Sequence, residues 1–168
     1  MFIIDGNNLL HSIQKTDTCR DMAPARLKGS ESISDVGLCR IIGRYLKLVG
    51  QKGEIIFDGT GPRDKSGFDN ISNLEVFFAG LGTDTDTVIE DKIGANTAPK
   101  RLTIVSSDRR LRKAARTRKA TSLKSDVFWN NIHKQLSRKR PEKEPQAKRQ
   151  GLTDGETKQW LEFFGFEQ

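Results

Sequence analysis

Aspartates stand where the apolar runs of this sequence end. Asp5 follows Phe-Ile-Ile, Asp58 follows Ile-Ile-Phe, and Asp108 follows Val-Ser-Ser. Asp84 and Asp86 come after a further apolar run at 74–79, and Glu90 lies one helical turn beyond Asp86. Gathering like charges in one crevice is costly unless a cation neutralises them. Hard carboxylate oxygens suit Mg²⁺ or Mn²⁺, and Mg²⁺ commonly takes one or two carboxylates together with waters and a substrate phosphate. Each residue alone also fits a plainer role. Aspartate is a favoured helix cap, which suits Asp108 ahead of Arg109-Arg110-Leu111-Arg112, and Asp84 as a cap would leave Asp86 in a first turn where the dipole favours it.

Other chemistries fit the sequence less well. Neither a G-x-G-x-x-G after a strand nor a G-x-x-x-x-G-K-[ST] is present, so no dinucleotide or P-loop nucleotide site is indicated. His11 and His133 are the only histidines, with no serine or cysteine elbow beside them. A phosphatase with an aspartyl nucleophile would place a second acid at position 7, where Asn7 stands. Cys19 and Cys39 form no metal-ligand spacing and no disulfide framework, which suits a reducing cytosol.

The elements that must position the aspartates are read from periodicity. Short apolar runs at 2–5, 54–58, 74–79 and 102–107 predict four strands, with a short edge strand at 120–122. A Gly-Asn-Asn turn is expected after the first strand and a long loop over 15–32. Val36, Leu38, Ile41, Ile42, Tyr45, Leu46 and Val49 form one helical stripe capped by Ser34 or Asp35 and stopped by Gly50 and Gly53. A second helix starts at 83–87 with Val88, Ile89 and Ile93 inside, and a very basic third follows Asp108. Ser125 is expected to cap a fourth, with Val127, Phe128, Ile132 and Leu136 on its buried side. Strands alternating with helices imply parallel βαβ units in a three-layer α/β sandwich, a mostly parallel sheet with helices on both faces. In such sheets the ligand crevice lies beyond the C-terminal strand ends, where strand order reverses, and the aspartates fall at those ends.

Charge is divided along the 168 residues. The net charge is +7, but residues 100–149 hold 17 Lys/Arg against four Asp/Glu, whereas the remainder holds 12 basic and 18 acidic residues. An acidic part suited to cations is thus joined to a basic part suited to a polyanion, and a nucleic acid is the expected partner. Arg109, Arg110 and Lys113, at the start of the basic helix, are the candidate clamps for flanking phosphates; a solvated helix face is the plain alternative. No apolar run reaches the ~18 residues of a membrane span, and Asp5 interrupts the N-terminal apolar run too early for a signal peptide. A cytoplasmic protein is expected. Residues 138–150 read as a basic flexible linker, and Thr153-x-x-Glu156 as a capping box opening a short amphipathic helix within 151–168 that carries Trp160, Leu161, Phe163 and Phe164.

These motifs resemble a known family. Residues 3–10, Ile-Ile-Asp-Gly-Asn-Asn-Leu-Leu, are similar to the opening signature of the NYN nucleases, a branch of the PIN-like fold. Ile56-Phe57-Asp58, then Gly-Leu-Gly-Thr-Asp-Thr-Asp at 80–86 with Ile89-Glu90, then Ile-Val-Ser-Ser-Asp-Arg at 104–109, follow the order and spacing of its YacP-like members. The resemblance covers residues 2 to about 137. It implies a Rossmann-like sheet ordered 3-2-1-4-5 and a divalent-metal ribonuclease, some YacP-like members being ribosome-associated endonucleases that act on messenger RNA. Asp5, Asp86 and Asp108 match the family's acidic positions and Asn8 its asparagine, which would orient Asp5 or a metal-bound water. Asp58 ranks second as a metal ligand, by likeness to flap nucleases. One departure is visible: Thr85-Asp86-Thr87 stands where the family usually has Ala-Asp-Asp. The expected activity is endoribonuclease cleavage with Mg²⁺ or Mn²⁺. The rival readings are an RNA- or ribosome-binding module with a weakened site, which Thr87 favours, and a structure-selective DNA nuclease, which Asp58 favours.

Overall fold

The structure, a computed structural model, describes residues 1–15 and 33–137. At its centre lies strand β1 (Phe2–Asp5), paired in parallel with β2 (Gly53–Phe57) on one side and β4 (Thr103–Val105) on the other. Beyond β2 lies β3 (Leu74–Phe78), and beyond β4 lies β5 (Thr121–Leu123), both again parallel. The five-stranded order is therefore β3-β2-β1-β4-β5, as the resemblance implies. The chain fills one half of the sheet outward from β1 and then returns to the other side of it, so strand order reverses between β1 and β4.

Side chains alternate across this sheet, and each face buries its own core. Ile4, Ile55 and Val105 face one layer, built from α1 (Gly6–Gln14), α2 (Asp35–Leu48) and α5 (Ser125–Leu136). Ile3, Ile56 and Ile104 face the other, covered by α3 (Thr85–Ala95) and α4 (Arg109–Thr117). Two covered faces explain why the central strands read as unbroken apolar runs rather than alternating ones.

Three local expectations are corrected. Helix α1 begins directly at Gly6, where a turn was expected, because the Asp5 carboxylate caps it by accepting from the Asn8 amide at 2.9 Å. Only glycine fits at its first position: a Cβ on Gly6 would lie 2.5 Å from the Phe57 ring and 2.9 Å from the Ile56 carbonyl oxygen. In α5, Lys124 rather than Ser125 is the N-cap, without a side-chain bond, since the Ser125 hydroxyl is engaged elsewhere. The buried side of α5 is also rotated: Val127 is 41% exposed, and Trp129 joins Phe128 and Ile132 in the core.

The long helix behaves as read. Ser34 caps α2, accepting from the Gly37 amide, and Gly50 in the left-handed region (φ 64°) follows its end. Cys39 is buried and unpaired in it, and burial pushes its thiol up to about 12. Among the described residues no helix is long and apolar enough to cross a membrane. Most of the loop expected at 15–32, Cys19, the linker at 138–150 and the helix expected within 151–168 lie outside the described residues.

Candidate active site

The sheet's topology delivers the carboxylates to one place. Asp5 ends β1, Asp58 follows β2, Asp84 and Asp86 open α3, and Asp108 follows β4, all at the C-terminal edge beside the strand-order reversal. Asp5, Asp58, Asp84, Asp86 and Asp108 line one open pocket of about 370 Å³ together with Asn7, Asn8, His11 and Thr85. Glu90 stands outside this set.

Asp5 is the anchored member. It is 5% exposed, its Oδ1 accepts from the Asn8 amide, and its Oδ2 accepts from the Ser106 hydroxyl at 3.0 Å. Burial raises its pKa; the two hydrogen bonds oppose this, and the negative charges of Asp86 and Asp58 add to the rise. Asp86, half-buried, is likewise raised, first by burial and then by Asp108, with Arg110 pulling the other way. Like charges gathered in one pocket favour a cation among them.

The plainer roles are also filled. Asp108 caps α4, its Oδ1 accepting from the Arg110 and Leu111 amides at 2.6 and 3.3 Å. Asp84 caps α3 through the Thr87 amide at 3.1 Å. The Thr87 hydroxyl, then this amide and the nearby Arg110, hold its carboxyl below the ordinary range. Capping through one oxygen does not remove either group from the pocket. Asp58 is braced at both oxygens: Oδ1 accepts from the Thr85 amide and hydroxyl, and Oδ2 from the Asn7 side chain. That ties β2, α1 and the start of α3 together in the lining of the pocket.

Asn8 holds Asp5 with its backbone N–H, while its side-chain oxygen is engaged with other partners. The Asn8 Oδ1 accepts from the Ser107 amide at 3.0 Å and the Ser125 hydroxyl at 2.8 Å, and the Ser125 amide in turn donates to Ser107 Oγ. Ser106 sits between two aspartates, donating to Asp5 and accepting from the Asp108 amide at 3.1 Å. Sequence reasoning gave Ser106, Ser107, Ser125, Thr85 and Asn7 no part in the site. The signal for the first two was the pair of serines directly before Asp108, polar where a buried strand would continue apolar.

The basic candidates lie outside the pocket. Arg110 is held by Glu90, its Nε and Nη2 donating to the two carboxylate oxygens at 2.8 and 2.7 Å, with Asp84 at 3.9 Å. Lys113 lines a separate groove between α3 and α4, and Arg109 is exposed.

The donor set at the pocket is oxygen-rich and hard. Among the described residues no three His, Cys, Asp or Glu side chains are drawn together as a finished metal cage. The residues fit Mg²⁺ or Mn²⁺ held by one or two carboxylates, with waters and phosphate completing the shell, and not a closed all-protein site.

Comparison with known proteins agrees with this architecture. A family model described as the YacP-like NYN domain matches residues 2–163. The match continues past residue 137, where the motif resemblance ends, into a C-terminal segment outside the described residues. Two crystal structures of Rae1 (YacP) from Bacillus subtilis share the fold at 18% identity. One superposes with a TM-score of 0.58 over 80% of this chain and 74% of that one; the other, a point mutant, gives 0.53 over 79% and 74%. No curated protein sequence matches the chain.

Proposed function

This chain belongs to the YacP-like NYN domain family, and from that premise we propose that it is a divalent-metal-dependent endoribonuclease of the cytoplasm. The observation that carries the reading is the convergence of Asp5, Asp58, Asp86 and Asp108 on one pocket at the strand-order reversal. Between them Asp5, Asp86 and Asp108 would hold one or two Mg²⁺ or Mn²⁺ ions, with Asp58 second because its oxygens are already engaged. A bound ion supplies Lewis acidity at the scissile phosphate and lowers the pKa of a water.

The protein's own part is to fix geometry. Asp5 is locked from two sides, so its carboxylate keeps one orientation without reorganising during reaction. Ser106 couples Asp5 to Asp108, so the ends of β1 and β4 hold a constant spacing. Asn8 acts behind these groups, pinning the loop after β4 and the start of α5. Water attack at phosphorus in line with the departing 3′ oxygen would leave 5′-phosphate and 3′-hydroxyl ends. The basic stretch at 100–149 supports a polyanionic substrate, and the family resemblance extends the proposal to messenger RNA engaged with the ribosome.

A second reading is an RNA-binding module of the same fold that does not cut, favoured by Thr87 and by the lack of a ready three-ligand cage among the described residues. Labelled RNA and DNA incubated with Mg²⁺, Mn²⁺ or EDTA separate the readings. Metal-dependent cutting of RNA alone supports the nuclease. Binding without cutting supports the module, and preferential cutting of branched DNA supports a structure-selective DNA nuclease.

A further inference from the structure

Helix α4 and its C-cap carry six basic residues, and the structure sorts them into two sets. Arg110 is spent on Glu90, Arg112 donates to Ser122 Oγ at 3.4 Å, and Arg118 donates to the Gly94 and Asn96 carbonyl oxygens at 2.9 and 3.2 Å, closing the end of α3. The side chains of Arg109, Lys113 and Arg116 make no hydrogen bond or ion pair among the described residues, and all three residues are exposed. The division follows the helix geometry. At about 100° per residue, positions 109, 113 and 116 fall within a sector of about 60°, opposite the buried Leu111 and Ala115. Helix α4 contains no acidic residue that could neutralise them.

The sector has a direction. Arg109 directly follows Asp108, which lines the acidic pocket, and Arg116 stands about 10 Å further along the helix axis at 1.5 Å per residue. An acidic pocket repels a polyanion, so a strand reaching it needs cations near the point of entry. Three uncommitted cations in a row from the pocket's rim supply them, whereas Arg110 already has its carboxylate. Charge complementarity therefore favours the sugar-phosphate backbone of one RNA strand as the occupant of this face.

We infer that Arg109, Lys113 and Arg116 form a track for the phosphates flanking the scissile one, and that Arg110 is a structural tie between α3 and α4 rather than a substrate contact. The inference rests on the proposed nuclease reading for its substrate, but its test does not depend on cleavage. Binding of a fluorescent single-stranded RNA oligonucleotide to the full chain is measured by anisotropy in EDTA across a salt series. Each phosphate contact on a single strand contributes about 0.7 to the slope of log affinity against log salt. Lys113→Gln and Arg116→Gln should each lower the slope by about that amount, and the double variant by about 1.4. Lys113→Arg and Arg116→Lys should restore it, and Arg110→Gln should keep the wild-type slope. A slope that falls in Arg110→Gln and stays constant in Lys113→Gln and Arg116→Gln overturns the track. If the wild type cuts RNA while these two variants keep its slope, the track fails and the nuclease stands. If the slopes move as expected but no RNA is cut, the track stands and the nuclease fails.

Discussion

Replacing Asn8 with alanine separates what its side chain does from what its backbone does. The backbone N–H that holds Asp5 survives in Asn8→Ala, so the carboxylate keeps its anchor. What disappears is the amide oxygen shared by the Ser107 N–H and the Ser125 hydroxyl. Ser107 is exposed, so water replaces its lost partner at little cost. Ser125 is fully buried, and a buried donor left unsatisfied costs about 1–3 kcal/mol. Asn8→Ala should therefore destabilise the fold by about 2 kcal/mol. At this chain length that lowers the melting temperature by about 4–8 °C, readable by calorimetry or circular dichroism. Because Asn8 and Ser125 share one bond, Asn8→Ala/Ser125→Ala should cost less than the two single changes summed, by about 1 kcal/mol. A melting temperature within a degree of wild type, together with strict additivity, would refute the network. If melting were unchanged while cleavage collapsed, Asn8 would instead be acting at the reaction itself.

Two further outcomes follow from the carboxylates. Mn²⁺ at 100 times its dissociation constant should stabilise the fold by about 2.7 kcal/mol, raising the melting temperature by about 5–10 °C. Asp86→Ala and Asp108→Ala should each shrink that metal-induced rise; comparing the rise rather than the absolute value sets aside the lost α4 cap, and equal rises in all three proteins would remove both residues from the site. In EDTA, the raised pKa of Asp5 means the folded state keeps a proton that the unfolded chain releases. Its contribution to stability is thus full below the ordinary carboxyl value of 3.8 and declines as pH rises through the higher folded value. The stability of wild type minus that of Asp5→Asn, from urea midpoints, should fall with rising pH; a flat or rising difference would contradict the desolvated carboxylate.

Much of the architecture was legible because two buried faces force apolar strands, and strands in a parallel sheet share one C-terminal edge. Asp5, Asp58 and Asp108 could be placed at that edge from strand ends alone, and Asp84 and Asp86 from the helix start after β3. The local errors have tertiary causes. Nothing within residues 6–8 distinguishes a turn from a helix start; the ring of Phe57, fifty residues away, excludes any side chain at Gly6. Trp129 and Val127 differ by two positions on α5, and their exposure depends on how that helix rolls against α1 and α2. Arg110 looked equivalent to Arg109 until Glu90, on a different helix, proved to face one and not the other.

If the aspartate pocket cuts RNA, Asp5→Asn should disable it. The substitution keeps side-chain volume and an acceptor for the Asn8 amide but removes the anchored charge, and loss of a metal partner even one shell out costs about 10–100-fold in metal affinity or activity. Single-turnover cleavage of a 5′-labelled RNA with Mn²⁺ should be rapid for wild type, yielding 5′-phosphate and 3′-hydroxyl ends, and should fall more than about 100-fold in Asp5→Asn. Cleavage by Asp5→Asn at the wild-type rate, in a preparation free of host nuclease, would show that the pocket does not do the cutting.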